Sequence, residues 1–152
     1  MAKKIDHKEE LHKACLAYAN KRIATATEAY DMAQDAANEE SKNSAGDDDN
    51  SKAMLQIEAE QQAKHVAEAR KLKEEMLRIV PSNKSSQVGP GTVVKTNSGN
   101  YFISISAGKI EVGKDVYFAV SLSSPIGQAL KGLKSGDKVK FNDKSIEILD
   151  IY

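Results

Sequence analysis

A short helix-breaking stretch between two long helical patterns constrains this chain more than any other feature. Alanine-rich periodicity covers about residues 6–40, and a second helical pattern covers about residues 51–80, directly before Pro81. Between them, residues 41–51 are rich in Asn, Ser, Gly and Asp, which disfavour helix interiors. Two long helices with a short connection fold back on each other. The sequence therefore predicts an antiparallel helical hairpin over residues 1–80.

Both helical patterns carry an apolar stripe with the spacing of a helix–helix seam. In the first helix the stripe is Leu11, Cys15, Tyr18, Ile23, Ala26, Ala29 or Tyr30, Ala33 and Ala36. In the second helix it is Leu55, Ala59, Gln62, Val66, Ala69, Leu72, Met76 and Ile79. Alanine in facing positions lets two helices approach closely, and the 3-4 repeat predicts a left-handed coiled coil.

The connection between the two helices is acidic. The predicted tip at 44–50 contains Gly46, Asp47, Asp48, Asp49 and Asn50. Over residues 28–60, ten acidic residues against two lysines give a net charge of about −8, whereas residues 81–152 carry about +3. A solvated face is the ordinary explanation of a charge run. Charge segregated along one arm also suits an acidic end directed at a cation.

The three consecutive aspartates have two explanations. As caps, they would oppose the dipole of the second helix, and each would contribute about 0.3–1 kcal/mol. One cap needs one acid, however, and three adjacent carboxylates repel each other. Mg²⁺ prefers oxygen ligands and keeps several of its waters, so one or two presented carboxylates are enough to bind it. We favour cation binding over capping alone.

A nucleophilic site at Cys15 is a further hypothesis, because His12 lies one helical turn away. Cys15 falls on the apolar stripe, and no glycine loop nearby could supply an oxyanion hole, so a buried thiol is favoured. His7, His12 and His65 show no metal-ligand spacing. One cysteine, no apolar leader and no apolar run of 18 residues predict a cytoplasmic protein without membrane contact.

After Pro81 the pattern changes from helices to short strands. Residues 81–87 form a polar linker, and residues 88–152 predict about five antiparallel strands. Ser124-Pro125 begins a short helix that ends at Gly132. The predicted fold class is α+β, with a helical coiled-coil hairpin followed by a small antiparallel β domain that contains one short helix.

The segment from Ser123 to Asp137 reads Ser-Ser-Pro-Ile-Gly-Gln-Ala-Leu-Lys-Gly-Leu-Lys-Ser-Gly-Asp. Together with the strands that follow it, this segment resembles the C-terminal domain of the bacterial GreA/GreB transcript-cleavage factors over residues 88–152. The order of a helical hairpin and this domain resembles the architecture of the whole family. The resemblance implies an FKBP-like fold for the C-terminal domain.

The resemblance also implies a function. The implied protein is a transcription elongation factor that binds RNA polymerase. It inserts its tip into the secondary channel, where it stimulates cleavage of backtracked nascent RNA. Asp47 and Asp49 would be the catalytic carboxylates and ligands of a Mg²⁺ shared with the polymerase, supported by Gly46, Asp48 and Asn50. The implied polymerase-binding residues are Ser124, Pro125, Ile126, Gly127, Leu130 and Gly132. Such a factor is not itself an enzyme, and it meets the RNA 3′ end only indirectly.

The tip departs from the family pattern, which has Asp, two residues and then Glu-Asn. Here one residue fewer separates Asp47 from Asp49-Asn50. Because an inhibitory paralogue in the family has a multi-aspartate tip, the alternative is a Gre-like secondary-channel inhibitor without cleavage activity. Prolyl isomerisation is disfavoured, since the few aromatic side chains must also fill the core. Sequence-specific DNA binding is not expected, because no helix is rich in Arg.

Overall fold

The computed structural model describes the backbone of residues 2–43 and 49–152 and the side chains of residues 7–39 and 51–152. Within these ranges, no helix is both long and apolar enough to cross a membrane.

The chain divides into two compact units. The arm unit is Ala19–Lys73, and the sheet unit combines Met1–Tyr18 with Glu74–Tyr152. The predicted linker at 81–87 lies within the sheet unit, and the predicted domain boundaries stay a prediction.

Two long helices precede the sheet. Helix α1 spans Ala2–Asn43 and has 42 residues, and helix α2 spans Asp49–Arg78 and has 30 residues. At about 1.5 Å per residue, α2 alone is about 45 Å long. It ends before Pro81, since a proline disfavours helical geometry in the residue that precedes it. The predicted helical hairpin is confirmed, and α1 extends further at both ends than its periodicity indicated.

The arm unit is held together by small side chains. Its fully buried residues in the described part are all alanines, namely Ala19, Ala37, Ala59 and Ala69. Ala59 and Ala69 are predicted seam residues, whereas Ala19 and Ala37 each lie one position after a predicted one. The other predicted seam residues of this unit are half-buried: Ile23, Ala26, Ala29, Tyr30, Ala33, Ala36, Leu55, Gln62, Val66 and Leu72. The helix faces assigned from the 3-4 spacing therefore lie at the seam. Alanine at these positions allows close approach but buries little apolar area per residue.

Six strands and one short helix make up the rest of the sheet unit. The elements are β1 (Val93–Thr96), β2 (Gly99–Ser104), β3 (Gly108–Val112), β4 (Asp115–Ser121), α3 (Pro125–Leu130), β5 (Lys138–Phe141) and β6 (Lys144–Ile151). The strand order in the sheet is β3-β4-β2-β1-β6-β5. The short helix and the α+β class agree with the sequence prediction.

The pairing of the strands differs from the prediction in two respects. There are six strands rather than about five, and β2 pairs with β4 in parallel, with Tyr101 opposite Phe118. The other neighbouring strands are antiparallel. The parallel pair arises because β3 and β4 form a hairpin whose second strand lies beside β2. A two-residue turn joins β5 and β6, with φ of 51° at Asn142 and 65° at Asp143.

One face of the sheet packs against α3. Its buried cluster consists of Val88, Val94, Ile103, Leu130, Ile146 and Ile148. Leu130 is fully buried and belongs to α3, so this core determines where the short helix lies. Ile126 and Leu133 are half-buried and pack against the same cluster.

The opposite face of β2 and β4 contacts the first turns of α1. Successive side chains of a strand alternate between faces, so Ser104 points away from Ile103. The Sγ atom of Cys15 lies 3.6 Å from the Oγ atom of Ser104. Nδ1 of His7 lies 3.3 Å from the hydroxyl oxygen of Tyr117. The beginning of α1 is thus an integral part of the sheet unit.

Candidate functional site

The acidic connection lies between the end of α1 at Asn43 and the start of α2 at Asp49. Gly46, Asp47 and Asp48 lie outside the described residues. Asp49 and Asn50 are the first two residues of α2 by their backbone, and their side chains lie outside the described ranges. The predicted roles of these tip residues stay predictions. A carboxylate at the start of a helix is favoured by the helix dipole, whatever else it binds.

The described part of the arm unit presents further carboxylates to solvent. Between positions 28 and 60, the exposed acidic residues among those described are Glu28, Asp31, Asp35, Glu39, Glu58 and Glu60. Glu58 accepts a hydrogen bond of 2.9 Å from Nε2 of Gln62, one turn away. None of the six forms an ion pair with a Lys or Arg among the described residues. Their charge is therefore not cancelled locally, and it adds to a negative potential that attracts cations.

No metal-binding cluster is present in the described part of the molecule. Within residues 7–39 and 51–152, no three His, Cys, Asp or Glu side chains are arranged to hold a metal ion. The Mg²⁺ ligands predicted at Asp47 and Asp49 are outside that range. Carboxylate oxygens on a short connection fit Mg²⁺, which takes one or two protein ligands and keeps its other waters.

The predicted polymerase-binding residues begin with the start of α3. Ser124 is the N-cap, and its Oγ accepts a hydrogen bond of 3.1 Å from the backbone N–H of Gly127. The same hydroxyl donates to the carbonyl oxygen of Ser121 at 2.6 Å. Pro125 occupies the first turn, where its fixed φ suits a helix and no N–H is needed. This half of the motif builds the helix start.

Gly127 is required by close packing between α3 and the end of β4. A Cβ atom at this position would overlap the carbonyl oxygen of Ser121 and lie 2.9 Å from Cα of Leu122. Both are backbone atoms, so no side-chain rotation can relieve the contact. Gly132, just after the helix, has a φ of +79°, a region in which side chains are strained.

We expect Gly127→Ala to destabilise the protein by about 2 kcal/mol or more. Alanine gains up to about 1 kcal/mol of helix propensity, but overpacking against backbone costs more than that gain. The measurement is urea unfolding followed by circular dichroism. Gly89→Ala is the control, because a Cβ there meets nothing within 4 Å. Equal unfolding midpoints for the two variants would show that the close packing at Gly127 is absent.

The remaining motif residues divide into core and surface. Leu130 is fully buried, and Ile126 packs against the cluster around it. Pro125, Gln128 and Lys131 are exposed. These three residues define what we call the α3 surface. The structure thus assigns folding roles to most of the motif, and the predicted role in polymerase binding stays a prediction.

Two solved structures of a transcription factor align with this chain over most of its length. The structure of the transcription factor Gfh1 shares 17% identity, with coverage of 92% of this chain and 94% of that chain and a TM-score of 0.37. The GreA factor homolog 1 (Gfh1) of Thermus thermophilus shares 16% identity, with coverage of 94% and 93% and a TM-score of 0.34. No protein-family model and no curated protein matches the chain.

Cys15 is buried, as its place on the apolar stripe predicts. It is fully inaccessible, and burial raises the pKa of its thiol to about 11. His12 is engaged elsewhere, since its Nε2 lies 2.7 Å from the carbonyl oxygen of Met76. A protonated thiol without access to solvent is a poor nucleophile. Both observations disfavour a catalytic Cys–His pair.

We expect the Cys15 thiol to resist alkylation in the folded protein at pH 8. With a pKa near 11, only about one thiol in a thousand is ionised at that pH. Because ionisation favours the unfolded chain, this thiol's contribution to stability is present below pH 9 and is lost as pH rises towards 11. The measurement is the rate of modification by iodoacetamide with and without urea. Similar rates in both conditions would contradict the burial.

Lys8 is a buried charged residue that the apolar pattern of α1 did not predict. Only 3% of its surface is exposed, and its Nζ donates a hydrogen bond of 2.6 Å to the carbonyl oxygen of Asn83. A signal was present in the sequence. Lys8 lies three residues before Leu11 and seven before Cys15, which places a charge on the buried face of α1.

Proposed function

We propose that this protein is a Gre-like accessory factor of RNA polymerase, and that its acidic connection acts at the catalytic Mg²⁺ of the polymerase to stimulate cleavage of backtracked RNA. One observation carries the proposal. Two long helices pair along a seam of alanines, and the chain places Asp47, Asp48 and Asp49 at the connection between them. A narrow helical pair with charge at its end suits insertion into a channel.

The chemistry of RNA cleavage explains why carboxylates are needed. In a two-metal mechanism, two Mg²⁺ ions stabilise the attacking and leaving oxygens of the phosphate. In our proposal the polymerase holds one ion firmly, and Asp47 with Asp49 helps to retain the second. A further carboxylate can orient the attacking water. The hairpin would therefore complete an active site that belongs to its partner, and the chain would have no catalytic activity alone.

A second candidate function is inhibition of the polymerase through the same channel. The specific observation in its favour is the tip itself, which has three consecutive aspartates and one residue fewer than the cleavage-factor motif. Three carboxylates could hold Mg²⁺ in an unproductive arrangement or obstruct the entry of nucleotides. The two functions differ by about an ångström in ligand placement, and a misplacement of that size can cost about a hundredfold in rate.

We expect the α3 surface to contact the polymerase. The residues of the sequence motif that remain accessible around α3 are the ones a partner could reach. Lys131→Glu, which reverses the charge of an exposed side chain, should weaken binding of the full-length protein to RNA polymerase by about tenfold, because a like charge at a complementary interface is repelled. Surface-immobilised polymerase and a titration of the factor measure this.

The matched control is Lys144→Glu, at the exposed start of β6. It makes the same charge change away from α3 and should leave the affinity within about twofold. Full-length protein is necessary, because residues 1–18 belong to the sheet unit and a truncated chain would expose its buried face. Equal affinities for Lys131→Glu and wild type would contradict a contact between the α3 surface and the polymerase.

A further inference from the structure

The sheet unit contains a cleft beside Lys8. Its volume is about 500 Å³, and Lys8, Glu75, Arg78 and Asn83 contribute polar groups to its wall. Ser104, Ser121 and Ser123 add hydroxyl groups, and Ile79, Val80, Pro90 and Leu122 add apolar surface. A volume of this order, with an apolar wall and a few convergent polar groups, is typical of small-molecule sites. We call this space the Lys8 cleft.

The ammonium group of Lys8 is under-satisfied. An ammonium has three N–H donors, and among the described residues Lys8 donates one hydrogen bond, to the Asn83 carbonyl oxygen. In the described part of the chain, no carboxylate lies within ion-pair distance of it. Burial lowers the pKa of Lys8, since removing a charge from water is unfavourable. A buried cation without a counter-ion costs free energy that an anion in the cleft would recover.

Arg78 gives the cleft a second positive charge. It is the last residue of α2, it is exposed, and it lines the same space as Lys8. Arginine and lysine together with serine hydroxyls are common donors to phosphate oxygens. Glu75 is the one acidic residue in the described lining, and it opposes an anion rather than neutralising Lys8. The charge balance of the cleft is therefore positive.

We propose that the Lys8 cleft binds a small phosphate-bearing ligand, whose phosphate contacts Lys8 and Arg78 and whose organic part lies against Ile79 and Leu122. This site is separate from the acidic connection, and it does not depend on the proposed action at RNA polymerase. Polar and apolar lining in one cleft favours an organic phosphate over inorganic phosphate.

The test is calorimetric titration of the full-length protein with AMP, inorganic phosphate and adenosine at constant ionic strength. We expect AMP to bind with a Kd of about 1 mM or lower and the other two probes to bind at least about tenfold more weakly. Binding of adenosine equal to that of AMP would overturn the role of the phosphate. Absence of AMP binding up to about 10 mM would overturn the site.

Substitutions test which side chains of the Lys8 cleft bind the phosphate of AMP. Lys8→Met leaves an unbranched side chain that is one atom shorter and removes the charge. It should raise the Kd for AMP at least about tenfold, because charge-assisted hydrogen bonds are lost. Lys84→Met is the matched control, since Lys84 is exposed and lies outside the cleft lining. It should leave the Kd within about twofold. An unchanged Kd in Lys8→Met would overturn the proposal.

Two exposed positions keep the proposal testable if Lys8→Met does not fold. Arg78→Gln removes a cation and should weaken AMP binding, whereas Glu75→Gln removes the opposing carboxylate and should strengthen it. Both side chains are exposed, so neither change disturbs the core. Shifts of about threefold or more in opposite directions support the site. Equal affinities in both variants and wild type would contradict it.

Discussion

Replacing Asp47 by alanine is expected to reduce the cleavage of backtracked RNA by about a hundredfold or more. The proposed role of Asp47 is to hold the second Mg²⁺, and loss of a ligand misplaces or releases the ion whose charge stabilises the leaving oxygen. The measurement is the rate at which a labelled RNA 3′ end shortens in a stalled RNA polymerase complex, at fixed Mg²⁺ and saturating factor.

The control for Asp47→Ala is a substitution that removes another carboxylate from the same arm. Glu39→Ala removes a carboxylate that is exposed on α1, a few residues before the connection. It changes the net charge by the same amount and should leave the rate within about threefold, because a screened surface charge acts only through the general potential. Equal losses of cleavage rate in Asp47→Ala and Glu39→Ala would mean that the arm acts through its total charge and that Asp47 is not a ligand of Mg²⁺.

Lengthening the arm is expected to abolish the effect on the polymerase. Seven extra residues in each helix add about 10 Å to both, and a heptad insertion keeps the 3-4 seam in register. The carboxylates would then lie about 10 Å from the metal that we propose they bind in the wild-type protein, which is beyond coordination distance. We expect binding to the polymerase to survive and cleavage to fall to background.

A control variant contains the same inserted heptads without the added length, so it separates the effect of arm length from the effect of the changed sequence. In this variant each inserted heptad replaces the adjacent seven residues, so α1 and α2 keep their lengths of 42 and 30 residues. This variant should cleave at the wild-type rate. If the lengthened protein cleaves equally well, the tip does not act by reaching a fixed point in the polymerase.

The helices could be predicted from the sequence because local signals agree with one another. A 3-4 apolar stripe, a helix-breaking connection and Pro81 all indicate the same boundaries, and Ala59 and Ala69 lie buried where the stripe places them. Ser124-Pro125 and Gly132 likewise delimit α3, which spans Pro125–Leu130. Capping and helix-breaking residues act within one helical turn, so the ends of these helices can be predicted from the sequence alone.

Features that depend on distant neighbours could not be predicted in this way. The parallel pairing of β2 with β4 joins Tyr101 to Phe118, and the alternation along each strand does not specify which strand lies beside it. Lys8 meets Asn83 across 75 positions of sequence. The spacing of Lys8 from Leu11 and Cys15 is a local signal of burial, but the cleft beside it is formed by segments that only the fold brings together.

The most direct test of the central claim is to add the wild-type protein to stalled, backtracked RNA polymerase with Mg²⁺ and to follow the RNA 3′ end. Our account predicts shortened transcripts that resume elongation. Transcripts of unchanged length with slowed extension, relieved in Asp47→Ala, would contradict cleavage and establish the channel inhibitor. Unchanged length with unchanged extension, at a concentration that saturates polymerase binding, would contradict any action of the hairpin at the catalytic Mg²⁺.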